Sequence, residues 1–235
     1  MIVRKLEIKF DPSSLDQAIR EAEHYLAHAD PVMRRLIARH GPCPLAEREF
    51  EPFHMLANSI ISQQLSTKAA ATIKQRVGEL VGVPFQTEKV LAVSSEKLRD
   101  AGLSQAKARY IRELAARVVD GRLIFDELMA IEDEAVIEKL IEANGIGRWT
   151  AEMFLMFRLH RPDVLPAGDL GIVTAIQRLY RLRKRPDAKR ILKMGEIWRP
   201  YRSVASWYLW QTLRNEPLAK AADSRRRSPR ASRAR

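Results

Sequence analysis

Apolar residues recur every three or four positions through most of the chain. This spacing places an apolar stripe along one side of a helix and predicts a series of amphipathic helices. The clearest stripe consists of Ala106, Tyr110, Leu114 and Val118. Residues 3–10 alternate only weakly, so a short strand and an extended arm are both open there. The predicted fold class is therefore all-α, with a short N-terminal extended segment.

Polar caps and glycines mark where several of these helices begin and end. Ser14 and Gln17 have the spacing of a capping box, and Asp30 stands directly before a proline at the start of a second helix. Gly41 is placed to end that helix, and Ser66 to cap the helix that follows the segment PFHMLANSIISQQ. These positions predict short connections between successive helices.

The charge balance indicates a polyanionic partner. The chain carries 41 Lys and Arg against 29 Asp and Glu, a formal charge of +12, which favours nucleic acid phosphate over a membrane surface. No apolar run approaches the roughly 18 residues that span a bilayer, and no signal-peptide stretch opens the chain, so a cytoplasmic protein is expected. We predict a domain over residues 1–218 and a basic, disordered tail over residues 219–235.

The cysteine and histidine content limits the cofactors. Cys43 is the single cysteine, so an internal disulfide cannot form. With five scattered histidines it offers neither a tetrahedral zinc site nor a four-thiolate iron–sulfur cluster. We therefore expect no redox or organic cofactor.

Two glycines separate two apolar-faced helices in the segment LIEANGIGRWTAEMF. Glycine permits positive φ and close approach of another backbone, and the second helix opens with unpaired N–H groups at its positive end. Such a turn is suited to binding phosphate. On these residues alone, an ordinary helix end capped by Gly145 is the other interpretation.

The GIGRWTA segment resembles the helix-hairpin-helix motif of the HhH-GPD superfamily of DNA glycosylases, and the resemblance covers approximately residues 50–215. It implies a two-lobed helical fold with a DNA cleft between the lobes, and a hairpin that grips DNA phosphates. The DNA-binding hairpin residues that it implies are Gly145, Ile146, Gly147, Arg148 and Thr150. It also implies a Na⁺ or K⁺ ion on the hairpin backbone, bound by the carbonyls of Ile141, Ala143 and Ile146.

The residue at position 149 subdivides this family. Bifunctional members have a lysine there, whose amine forms a Schiff base with the sugar. Trp149 cannot form an imine, so we expect no strand cleavage by this route, and the motif resembles the 3-methyladenine DNA glycosylase II subgroup. The roughly fifty residues ahead of the match predict a compact version without an N-terminal α/β lobe.

Asp169 is the candidate catalytic residue. In LPAGDLGI it precedes an apolar helix, so capping is its ordinary interpretation. The family resemblance places the catalytic aspartate at this position. Breaking a nucleoside C1′–N bond generates an oxocarbenium-like sugar, which a fixed anion stabilises. Purines methylated at N3 or N7 are cationic and leave as neutral bases, so a lone carboxylate suffices.

Base excision also requires a pocket for the flipped base. The resemblance implies Trp149, Met153 and Trp210 as pocket residues, because indoles attract a cationic base through their faces. A place in the hydrophobic core is the alternative for all aromatic residues here, and it is the interpretation we favour for Trp198 and Trp207.

A side chain commonly fills the gap that a flipped base leaves in the duplex. The segment LANSIISQQLSTKAAATI resembles the family's helix pair whose connecting loop carries this wedge. Gln64 falls at the inserting position, with Leu65 beside it. The alternative is that Gln63 and Gln64 are exposed residues at a helix end.

Together these features predict a monomeric, monofunctional glycosylase that removes alkylated purines of the 3-methyladenine and 7-methylguanine type from double-stranded DNA. Its expected location is the cytosol and nucleoid of a bacterium or the nucleus of a eukaryote. One alternative is a non-catalytic helix-hairpin-helix DNA-binding module. The other is a glycosylase for deaminated, oxidised or mismatched bases on the same scaffold.

Overall fold

The computed structural model describes residues 12–46 and 50–214, and every regular element in these ranges is a helix. The predicted all-α fold is confirmed for this part of the chain. The segment 3–10 and the predicted tail 219–235 lie outside the described residues. In chain order, the α-helices are α1 (Pro12–Ala29), α2 (Pro31–His40), α3 (Pro52–Ser62), α4 (Thr67–Val81), α5 (Thr87–Ala92), α6 (Ser95–Asp100), α7 (Gln105–Val119), α8 (Phe125–Leu128), α9 (Asp133–Ile141), α10 (Arg148–Phe157), α11 (Leu170–Leu179), α12 (Ala188–Met194) and α13 (Arg202–Arg214).

Side-chain and glycine caps confirm most of the predicted helix ends. Asp30 accepts a backbone N–H from the first turn of α2 at 2.7 Å, and Gly41 closes that helix at φ +71°. Ser66 caps α4 as predicted. The capping box predicted at Ser14 is wrong, because α1 already begins at Pro12 and Ser14 lies inside its first turn. A proline at the start of a helix is pre-organised for helical φ, which accounts for the earlier start.

Two hydrophobic clusters form the core. One gathers side chains of α3 to α10 around residues such as Phe154, and the other gathers α1, α2 and α11 to α13 around Trp198 and Tyr208. Each fully buried large apolar side chain contributes roughly 1.5–3 kcal/mol. Phe157 and Trp210 pack against both clusters, so these two aromatic rings mark the seam between them.

Buried polar contacts anchor α13, the helix that carries Trp210. The hydroxyl of Tyr208 donates to Glu23 on α1 at 2.6 Å, and burial together with this carboxylate raises the pKa of Tyr208. Trp198, just ahead of α13, is fully buried and donates its indole N–H to Asp30 at 2.9 Å. The interpretation of Trp198 as a core residue is confirmed. These contacts fix the position of the seam.

The described residues also bear on a membrane span and on the single cysteine. None of their helices combines the length and apolar content needed to cross a lipid bilayer. The single cysteine, Cys43, is buried in the cluster formed by α1, α2 and α11 to α13.

Candidate active site

The hairpin between α9 and α10 depends on Gly145. Its φ is +86°, a conformation that residues with a side chain rarely adopt. A Cβ at this position would lie 2.6 Å from Cδ2 of Tyr110 on α7, so even alanine would clash. The next residue, Ile146, is buried in the core. The turn is therefore packed tightly against the body of the protein.

Helix α10 begins directly after Gly147, and no side chain caps its first N–H groups. Such groups point out along the helix axis and favour an anion. Arg148 already forms two 2.7 Å hydrogen bonds with Glu134, and Thr150 is buried with its hydroxyl oxygen 3.4 Å from that of Ser59. The structure therefore offers uncapped backbone N–H groups to a phosphate, and the contribution of the Arg148 and Thr150 side chains to DNA binding stays a prediction.

The loop that carries the predicted wedge is attached to this hairpin. The amide of Gln63 donates to the carbonyl of Gly145 at 2.7 Å, and Lys107 donates to the carbonyl of Gln63 at 2.6 Å. Gln63 is thus partly buried, and its interpretation as an exposed residue is wrong. Gln64 is exposed with φ +58°, and Leu65 is 39% exposed. These two residues form the tip of the loop, which the hydrogen bonds of Gln63 hold in place.

Three N–H groups hold the carboxylate of Asp169. Oδ1 accepts the indole N–H of Trp210 at 2.9 Å and the backbone N–H of Ile172 at 2.8 Å. Oδ2 accepts the indole N–H of Trp149 at 2.7 Å. A carboxylate has about four lone-pair directions, so the remaining one belongs to Oδ2, beside Trp149. The predicted cap is confirmed, and capping uses only Oδ1.

Gly171 makes room for this arrangement. A Cβ there would lie 2.9 Å from Oδ1 of Asp169 and 3.0 Å from Cδ1 of Trp210. On its other side, Trp210 stacks on Phe157 with ring centroids 6.1 Å apart and planes 23° apart. The indole of Trp210 is therefore confined between Phe157 and the start of α11, and its N–H is aimed at the carboxylate.

A cavity of about 550 Å³ lies beside Trp149. Trp149 is 48% exposed and forms one wall. Met153 is buried in the core and Trp210 faces Asp169, so neither contributes to the lining of this cavity. Residues of α3, its flanks and α4 complete the lining, namely Phe50, His54, Met55, Asn58, Ser59, Ser62, Gln63 and Lys74.

His54 lies in the polar wall formed by α3, and its hydrogen bonds define the protonation state of its ring. The backbone N–H of Phe85 donates to Nδ1 of His54 at 3.0 Å, so this nitrogen carries no proton. Nε2 must then hold the proton of a neutral ring, and it faces Nδ2 of Asn58 at 2.8 Å. Two donors cannot pair, so we assign the Asn58 amide the opposite orientation, in which its oxygen accepts from Nε2. Burial lowers the pKa of His54, and Lys74 lowers it further against the opposing effect of Glu51.

Sequence reasoning did not identify His54, Asn58 or Lys74. The spacing of His54 and Asn58, four residues apart, places them on one face of α3. A polar pair at this spacing is equally typical of a solvated helix face. Only the packing of Phe85 against the ring of His54, with centroids 4.5 Å apart, distinguishes the two cases.

The hairpin backbone is compatible with the predicted cation. Among residues 12–46 and 50–214, no three His, Cys, Asp or Glu side chains gather as a metal site. The carbonyl of Ala143 accepts the N–H of Ile146 at 3.1 Å, and its second lone pair is available to a Na⁺ or K⁺ ion. A cation at the carbonyls of Ile141, Ala143 and Ile146 stays a prediction.

Comparisons with known proteins point in one direction. DNA-3-methyladenine glycosylase 1 of Schizosaccharomyces pombe is 36% identical over 201 residues, covering 83% of this chain and 88% of the relative. The structure of the 3-methyladenine DNA glycosylase Mag1 of that organism in complex with abasic DNA has a TM-score of 0.73 at 35% identity, covering 83% of this chain and 97% of the other. A DNA-3-methyladenine glycosidase of Bacillus halodurans has a TM-score of 0.65 at 41% identity, covering 78% and 89%.

The family match covers the region that carries the hairpin and Asp169. Residues 57–200 match the family described as HhH-GPD superfamily base excision DNA repair protein. This match spans more than half of the chain and includes α4 to α12. The chain belongs to the HhH-GPD superfamily of base excision DNA repair proteins.

Proposed function

We propose that this protein is a DNA glycosylase that hydrolyses the N-glycosidic bond of alkylated purines in double-stranded DNA and so initiates base excision repair. The observation that carries the proposal is the carboxylate of Asp169, held by three N–H donors with one lone pair of Oδ2 left beside Trp149. The relatives named DNA-3-methyladenine glycosylase support the substrate class.

Asp169 stabilises the sugar while the base departs. As the C1′–N bond breaks, positive charge develops on the sugar ring, and a preoriented carboxylate lowers the energy of that state. The same carboxylate orients or deprotonates the water that attacks C1′. The bonds from Trp149 and Trp210 keep the carboxylate from rotating away, so little reorganisation is needed during the reaction.

Trp149 holds the flipped base. Its half-exposed indole forms a wall of the cavity, which has room for a purine. An electron-rich indole face attracts a cationic base, and purines methylated at N3 or N7 carry this charge. Because such a base leaves as a neutral molecule, the site needs no strong general acid. This supports 3-methyladenine and 7-methylguanine as substrates.

The hairpin binds the DNA backbone through the first N–H groups of α10, with Gly145, Ile146 and Gly147 shaping the turn. The net charge of +12 supports binding to a polyanion. Gln64 or Leu65, at the tip of the fixed loop, fills the gap that the flipped base leaves. The protein acts as a monomer in the compartment that holds the DNA.

The reaction ends without strand cleavage. Trp149 occupies the position of the imine-forming lysine, and its indole cannot react with the sugar aldehyde. The cavity lining does include Lys74, so the test is borohydride trapping of the wild type on abasic duplex. We expect no covalent adduct. An adduct that disappears in Lys74→Met would contradict a purely hydrolytic enzyme.

A non-catalytic DNA-binding module is the second candidate, because the bond from the N–H of Ile172 makes Asp169 a helix cap. The test is single-turnover release of 3-methyladenine and 7-methylguanine from methylated duplex DNA. The glycosylase releases both bases and leaves the strand intact. A protein that binds the duplex and releases neither is a binding module or acts on a deaminated, oxidised or mismatched base, which a panel of damaged oligonucleotides identifies.

A further inference from the structure

Lys74 is the single lysine among the residues that line the cavity beside Trp149. It lies on α4 and is half-buried. Within residues 12–46 and 50–214, no carboxylate or carbonyl oxygen forms an ion pair or hydrogen bond with its ammonium group. In the described part of the chain, the cavity wall therefore contains a half-buried cation without a carboxylate or carbonyl partner.

Lys107 provides a comparison within the same region of the structure. Burial lowers the pKa of both Lys107 and Lys74. The ammonium group of Lys107 nevertheless donates to two backbone carbonyls, at 2.8 Å and 2.6 Å. Burying an ammonium group without an acceptor is unfavourable. Among the described residues, the fold thus supplies acceptors to Lys107 and none to Lys74, so the ammonium group of Lys74 is open to an oxygen ligand that a substrate brings into the cavity.

The neighbours of Lys74 restrict what that ligand can be. His54 is neutral and donates from Nε2, so it supplies no negative charge. A methylated purine held against Trp149 is itself cationic, and two cations in one partly buried cavity repel each other. The anionic groups that a DNA substrate brings are its phosphodiesters. A phosphate is therefore the ligand that complements this lysine.

We propose that Lys74 binds a phosphate that flanks the nucleotide turned into the cavity. The proposal rests on the proposed function, since it requires a flipped nucleotide. Because Lys74 lines the cavity instead of lying on the open surface, the contact forms when the nucleotide enters and is absent on undamaged, fully stacked duplex. Lys74 thereby contributes to the affinity for damaged DNA over undamaged DNA, in addition to the contacts of the hairpin.

The test is a double-mutant cycle between Lys74→Gln and the DNA. The probe is a duplex with a stable abasic-site analogue, in which each flanking phosphate is replaced in turn by a neutral methylphosphonate. We expect Lys74→Gln to weaken binding roughly tenfold and to lower the slope of log affinity against log salt by about 0.9, the value for one phosphate contact. At one flanking position, the variant and the methylphosphonate should cause no more loss together than either causes alone.

Control variants separate this contact from general charge. Lys74→Arg keeps the cation and should retain affinity, and Lys97→Gln removes an exposed lysine outside the cavity and should change nothing. Lys74→Met preserves the apolar stem and repeats the cycle if the glutamine variant folds poorly. Binding to undamaged duplex should change less than about twofold.

Three results would overturn the proposal. The first is additive losses at both flanking phosphates, and the second is equal weakening on damaged and undamaged duplex. The third is normal binding to the abasic analogue with slower base release, which would place Lys74 on the base. The cycle measures binding without bond cleavage, so a protein that shows the coupling but releases no base would refute the proposed function alone.

Discussion

The indole N–H of Trp149 lies 2.7 Å from Oδ2 of Asp169, while the indole N–H of Trp210 binds Oδ1. The two tryptophans therefore hold opposite oxygens of one carboxylate. Trp149 also forms a wall of the cavity, so in the proposed function the residue that receives the base contacts the residue that stabilises the sugar. The proposed function therefore couples base binding at Trp149 to the position of the Asp169 carboxylate.

Replacing Trp149 by phenylalanine separates these two roles. The ring face remains but the bond to Oδ2 is lost, and we expect single-turnover release of 7-methylguanine to fall roughly tenfold. Trp149→Leu also loses the cation–π contact and should be slower still. Trp207→Phe is the control, because Trp207 forms no hydrogen bond with Asp169. Wild-type rates in Trp149→Phe would show that the indole N–H has no part in the reaction.

Gly171→Ala tests whether close packing around the carboxylate matters. The added methyl would lie about 3 Å from both Asp169 and Trp210, so one of them must move. We expect at least roughly tenfold slower base release with little change in melting temperature, because misplacing a catalytic group strongly reduces its effect. At Gly168 a Cβ would meet open space, and Gly168→Ala should behave as wild type. Equal rates in the two variants would contradict this argument.

Lys107→Met tests the support of the loop tip. The variant leaves two carbonyl acceptors at the end of α3 unpaired, which costs about 1–3 kcal/mol of unfolding free energy. Affinity for abasic duplex should also fall, because the loop that carries Gln64 and Leu65 loses a hydrogen bond that holds it in place. Denaturant unfolding and DNA titration measure the two effects. A stable variant with unchanged affinity would show that the loop is positioned by other contacts.

The neutral state of His54 predicts a pH dependence of stability. Its pKa is lowered in the folded protein, so the unfolded chain binds more protons near its ordinary value of 6.5. The resulting stabilisation is present above about pH 6.5 and is lost as the pH falls through the folded-state pKa. His54→Asn retains an acceptor for the N–H of Phe85 but does not titrate in this range.

The wild type should therefore lose unfolding free energy more steeply than His54→Asn between about pH 7 and 5. Glu152, whose pKa burial raises, contributes with the opposite sign, but it does so in both proteins and drops out of the difference. Urea titrations across this range provide the measurement. Parallel curves for the two proteins would refute the assignment of a neutral His54.

Periodicity and caps were enough to predict the all-α fold, because helix-forming stripes and residues such as Asp30 and Ser66 act locally. The start of α1 was mispredicted because a proline and a serine both qualify as a first residue, and the local sequence did not distinguish them. The packing of two hydrophobic clusters against Phe157 and Trp210 depends on contacts between distant segments and could not be predicted from local patterns.

The candidate site was predictable only in part. The hairpin and Asp169 follow one another within a short stretch, so their spacing was visible in the sequence. The bond between Gln63 and the carbonyl of Gly145 joins residues 82 positions apart, and no local pattern reveals it. Met153 was assigned to the pocket from the family resemblance, but its side chain lies in the core.

The most direct test of the central claim is single-turnover release of 3-methyladenine and 7-methylguanine by the wild type and by Asp169→Asn, together with the affinity of both for abasic duplex. Asparagine preserves the size of the side chain but removes the negative charge that we propose stabilises the sugar. We expect release at least about a hundredfold slower in the variant, with binding to abasic duplex retained. Release within about threefold of the wild-type rate would contradict the catalytic role of Asp169.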